Sequence, residues 1–130
     1  MGIKTSIDPD RGFARHVATG VVEVADFLDA LREVYAHPIH RPEDGGIWDA
    51  RGADATSLTA ADLRDFVDFI REQRGRQPGR TALVVGRDVE YGLARMYQVF
   101  AESVVEFEVF RSWDDAVAWV TGEPGPDAAD

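Results

Sequence analysis

The run Ala82-Leu83-Val84-Val85 places four apolar side chains in a row with no polar alternation. A strand built from it is apolar on both faces and needs cover on both sides. That requirement selects a layered α/β architecture over a sheet with one face in water. The flanking sequence supplies the cover. Val24, Phe27, Leu28, Leu31 and Val34 recur at helical spacing, as do Leu63, Phe66, Val67 and Ile70, and then Leu93, Met96, Tyr97 and Phe100. A fourth helix turns Trp113, Ala116, Val117 and Val120 inward.

Helix boundaries are written locally. Pro38 stops the first helix, because the residue before a proline disfavours α geometry. Thr59 with Asp62, and Ser112 with Asp115, are acidic variants of the capping box. Residues 3–7 and 13–18 read as strands joined by the turn Asp8-Pro9-Asp10-Arg11-Gly12, which predicts an N-terminal antiparallel hairpin. Residues 47–50 form a short third strand after a loop over 37–46. Residues 105–110 alternate, which predicts an edge strand with one face in water. The order is ββαβαβαβα. With right-handed crossovers it gives an α/β fold: a mainly parallel five-stranded sheet with an antiparallel N-terminal strand and helices packed on it. Residues 1–121 form one domain, and residues 122–130, rich in Pro, Gly, Ala and acid, predict a flexible acidic tail.

Composition narrows the function. The net charge is −10, and removing Glu123, Asp127 and Asp130 of the tail still leaves about −7 on the body. Such a body repels phosphate backbones and anionic membranes, so nucleic acid is a poor partner. No apolar run approaches the roughly 18–20 residues of a membrane span, so stable membrane insertion is not expected. No secretory signal opens the chain, which points to the cytoplasm. The absence of cysteine removes disulfides and thiolate chemistry.

Several short runs resemble the STAS domains, the anti-sigma-factor-antagonist fold, and more closely the uncharacterised bacterial STAS-like proteins grouped with lipid-binding CRAL-TRIO domains. They are Gly20, His37-Pro38, Trp48-Asp49-Ala50-Arg51, Tyr91-Gly92-Leu93-Ala94-Arg95-Met96-Tyr97, and Val109-Phe110-Arg111-Ser112 with Asp115-Ala116 and Trp119. The Tyr-Gly-Leu-Ala-Arg-Met run is the most specific. The resemblance covers about 3–120. It implies a small regulatory or ligand-binding domain, often dimeric, with no established catalytic residues. Anti-sigma antagonists are switched by phosphorylation in an Asp-Ser-Ser-Gly-like loop. Ser57 falls near that position, but the preceding acid and following glycine are missing here.

In parallel α/β sheets, ligands gather at the carboxyl ends of the strands, near helix N-termini. On this chain that edge carries Asp49, Arg51, Arg87, Asp88, Tyr91, Arg95 and Arg111. The guanidinium groups would suit a carboxylate or phosphate. Alternatively, acids and arginines pair with one another and fix the loops. His37, His40 and Asp44 lie close in sequence, but a proline-broken loop offers a metal no rigid frame, so no metal or other cofactor is expected. Without a Gly-x-Ser-x-Gly elbow, a P-loop or a dinucleotide fingerprint, an enzyme is not expected. Phe69, Phe110 and Trp119 fall off the main apolar stripes, where they would line a pocket or cover a dimer face. Two functions stand: a non-enzymatic regulatory module acting through a protein partner or homodimer, and a binder of a small anionic or amphipathic molecule. A pocket enclosing the arginines would favour the second. A self-paired surface with exposed Phe110 or Trp119 would favour the first.

Overall fold

In the computed structural model, which describes residues 2–41, 43–75 and 77–122, the N-terminal hairpin joins β1 (Gly2–Asp8) to β2 (Phe13–Val21). Its turn is held by the Asp8 carboxylate, which accepts from the backbone N–H groups of Asp10 and Arg11 at 3.1 and 3.0 Å. Then follow α1 (Val24–Ala36), β3 (Gly45–Asp54), α2 (Ala60–Arg74), β4 (Arg80–Val84), α3 (Asp88–Ala101), β5 (Glu106–Phe110) and α4 (Trp113–Thr121). The sheet runs β1-β2-β3-β4-β5; β1 is antiparallel to β2 and every other pair is parallel. Right-handed crossovers between successive neighbours keep α1, α2 and α3 on one face. After the last strand α4 folds back against β3, β4 and β5 on the other face.

The caps form as the sequence predicts. Thr59 and Asp62 close a reciprocal box at the start of α2, and Ser112 accepts from the Asp115 N–H at the start of α4. At α1 the same device uses Glu23 and Asp26. The α1 helix ends at Ala36, ahead of Pro38. Gly122 closes α4 with a left-handed φ of 73°. The tail expected from there on lies, for residues 123–130, outside the described residues.

Four details differ from the sequence reading. β3 extends to Asp54, because the end of β2 continues beside it and pairs Thr19, Gly20 and Val21 with Gly52, Ala53 and Asp54. Asp49 and Arg51 therefore lie within a strand rather than after one. A register shift between Val17 and Thr19 gives β3 one extra residue there, a bulge that bends the strand. Met96 faces outward, because α3 buries Glu90, Ala94, Tyr97 and Ala101 instead. On β5 the face assigned to water is divided: Glu106 is exposed, whereas Phe110 packs under α4. Leu83 is only half-buried although its strand is central and covered by helices on both faces.

Six ring contacts run across the helical face of the sheet. His16 stacks on Trp48 at 3.8 Å, and Trp48 meets Phe27 at 5.4 Å and Phe66 at 6.1 Å. Phe27 also meets Phe66 at 6.0 Å, Phe66 meets Tyr97 at 5.5 Å, and Tyr97 meets Phe107 edge-on at 4.9 Å. His16 is 2% exposed, with Nδ1 sharing a 2.8 Å hydrogen bond with the Thr5 hydroxyl. Burial pushes its pKa down to about 3 from 6.5. Between those values the unfolded chain takes up a proton that the folded chain refuses, so stability is full above pH 6.5 and falls as pH drops toward 3. From pH 7.5 to 4.5 this one group should cost about 2–3 kcal/mol. Urea unfolding at the two pH values should show wild type losing that much more than His16→Phe; equal losses in the two proteins would refute the assignment.

Candidate apolar pocket at the carboxyl edge of the sheet

The carboxyl edge is an array of ion pairs. Arg51 grips Asp49 through Nε and a terminal nitrogen at 2.9 and 2.8 Å, and this bond holds the Asp49 carboxyl below its usual range. Arg87 is bonded to Glu90 and lies 3.5 Å from Asp54. Arg111 reaches Asp88 at 2.6 Å and lies over the Tyr91 ring at 5.0 Å. Arg95 is 3.7 Å from Glu108. Each of these arginines thus has a carboxylate partner. Asp54 is held below the usual carboxylate range chiefly by the Thr56 hydroxyl. Ser57 is exposed in the turn before α2 and donates to the Val22 carbonyl at 3.2 Å. In the loop after α1, Asp44 is engaged by Arg41 at 3.1 Å, and His37 is exposed. Among the described residues, no three His, Asp or Glu side chains come together as a metal-ligand set.

A pocket lies between the sheet and α1, α2 and α3, and none of these arginines is among its lining residues. It has a volume of about 90 Å³, and its floor is Trp48 and Ala50 of β3, Thr81 and Leu83 of β4, Val85 just beyond β4, and Phe107 of β5. Its roof is Phe27, Leu63, Phe66, Ala94 and Tyr97. Val24 and Asp62 in the first turns of α1 and α2, Leu58 just before α2 and Leu93 in the second turn of α3, all half-buried, also belong to the lining. Leu83 is incompletely buried because it faces this space.

Asp62, Thr81 and Glu90 belong to the lining beside the Trp48 and Tyr97 rings, and the first two are engaged in structural hydrogen bonds. Asp62 accepts from the Thr59 N–H at 3.0 Å, and the Thr81 hydroxyl accepts from the Gln77 amide at 3.1 Å. That amide oxygen in turn accepts from the Tyr35 hydroxyl at 2.8 Å. Glu90 is different. It is 4% exposed, and Arg87 takes its Oε1, while Oε2 is buried without a hydrogen-bond partner. An acid in the first turn of a helix has a structural role by default, so Glu90 carried no signal in sequence. The pocket itself had a faint one in Ala50, Ala55 and Ala94, small residues among large rings. Phe69, Phe110 and Trp119 do not line it. Phe69 stacks on Tyr35, and Phe110 packs with Trp119 on the α4 face, both half-buried. The lining rings come from the core stripes, because the pocket is a gap within the core.

No protein-family model matches the chain, and no curated protein is similar to it. The structure is similar to that of an uncharacterized protein of the DUF3478 family with a SpoIIAA-like fold from Shewanella loihica PV-4. The TM-score is 0.61 at 21% identity, with 92% of each chain covered. The chain thus has a SpoIIAA-like, STAS-like α/β fold. Among the described residues, no helix is long and apolar enough to cross a membrane.

Proposed function

We propose that this chain is a non-enzymatic binding module that takes a small molecule with an apolar body into the pocket between the sheet and α1–α3. The observation that carries this reading is Leu83, a central-strand leucine left half-buried against an open apolar space. Cores close-pack, and voids larger than a water are few. A gap of about 90 Å³ lined partly by helix starts is a binding feature rather than a packing fault. It has room for about three groups of water or methylene size. Asp62 and Thr81 in the lining are committed to structural hydrogen bonds, which supports a binding rather than a catalytic reading.

Trp48 lines the pocket, whereas Trp113 and Trp119 pack on the opposite face of the sheet. Titration with 1-butanol, followed by NMR of the three indole N–H signals, should shift Trp48 saturably and leave the other two in place. Leu83→Phe fills the gap and should abolish the shift, while changing stability by less than about 1.5 kcal/mol. A Trp48 signal that does not move in wild type, or moves equally in Leu83→Phe, would overturn the reading.

A second reading, regulation through a homodimer, has one observation in its favour. Val89, Gly92, Met96 and Val99 recur at three and four residues along the outer face of α3, and Val99 is 69% exposed. That spacing is the seam of a helix pair. Sedimentation over a hundredfold range of protein concentration should then show a dimer in wild type and a monomer in Met96→Glu; a monomer throughout would remove the reading.

A further inference from the structure

We infer that the occupant of the pocket presents a hydrogen-bond donor, a hydroxyl or a protonated amine, to Glu90 Oε2, and that molecules with an anionic end are refused. The inference rests on the pocket reading above and narrows it to a ligand class. Glu90 is the third residue of α3 and belongs to the pocket lining, which also takes in Leu83 of β4 and Phe107 of β5. Its Oε1 is occupied by Arg87, which fixes the group. The other oxygen is buried with nothing to accept from. A buried acceptor without a partner is costly and uncommon, and those that persist call for an explanation. A ligand donor at that point supplies the missing bond.

The charges around the site give the preference its sign. Arg87 is shared between Glu90 and Asp54, so the trio carries one net negative charge. A ligand carboxylate placed against Oε2 would bring two acceptors and two like charges together, with Arg87 already engaged by Glu90 and Asp54. A hydroxyl completes the hydrogen bond without burying a further charge, and an ammonium completes it and balances the trio. The apolar end of either ligand points inward over Leu83 and under Tyr97.

The test is a matched four-carbon series of 1-butanol, butylammonium, butyrate and 1-chlorobutane, titrated into the full chain with the Trp48 indole N–H as reporter. Butanol and butylammonium should bind at least about tenfold more tightly than butyrate and 1-chlorobutane. The order within the first pair tells whether the natural donor is neutral or charged. In Glu90→Gln, whose amide both donates and accepts, the gap between butanol and butyrate should shrink to about threefold or less. Butyrate or 1-chlorobutane binding wild type as tightly as butanol would overturn the inference while leaving the pocket reading intact. If none of the four moves the Trp48 signal, the pocket reading itself fails. The wild-type comparison stands whether or not Glu90→Gln folds.

Discussion

The row of rings from His16 through Trp48, Phe27, Phe66 and Tyr97 to Phe107 is the contact on which the helical face depends. It takes side chains from β2, β3, α1, α2, α3 and β5, and so ties three helices to both the hairpin side and the far edge of the sheet. Aromatic pairs in edge-on and offset geometry add about 0.5–1.5 kcal/mol each beyond the area they bury. They are also stiff and tall. Where Ala50, Ala55 and Ala94 sit between them, the helices cannot settle onto the sheet, and the space remains open.

The carboxyl edge is therefore built in two tiers. On the outside, arginines and acids pair with one another across β3, α3 and the end of β5. The arginines are half-exposed while Asp49 and Glu90 are buried, so each pair anchors a charged side chain at the edge, and among the described residues Arg51, Arg87 and Arg111 each already meet a carboxylate. Beneath them the pocket is mainly apolar, and among its described lining residues Glu90 is the one with a buried oxygen that has no hydrogen-bond partner. The position expected for a ligand in a parallel sheet is thus the position where the gap lies. The chemistry is inverted relative to an anion site, because the arginines that would greet an anion are already spent on carboxylates.

Most of the fold was legible in sequence because its signals are local. The apolar run at 82–85, the helical stripes, Pro38, and the Thr59 and Ser112 caps each act within a few residues. The extension of β3 to Asp54 was not legible, since Arg51-Gly52-Ala53-Asp54 has no strand pattern of its own and is extended only because β2 runs beside it. Met96 was misplaced because α3 buries the unlikely pair Glu90 and Ala94 where a larger apolar residue was the natural choice. Which acid each arginine of that edge meets is decided between elements: Arg111 is 23 residues from Asp88 in sequence. A cavity is harder still, being the shared absence of side-chain volume on four or more elements.

Ligand entry requires the space beside Leu83 to be dry and open to a small apolar molecule. A crystal structure of the protein under xenon pressure tests it most directly, since xenon enters apolar cavities without needing a polar contact. One xenon is expected between Leu83, Trp48 and Ala94, with the surrounding rings unmoved. An empty site with Phe66 and Leu83 closed over it would mean that no open pocket lies there.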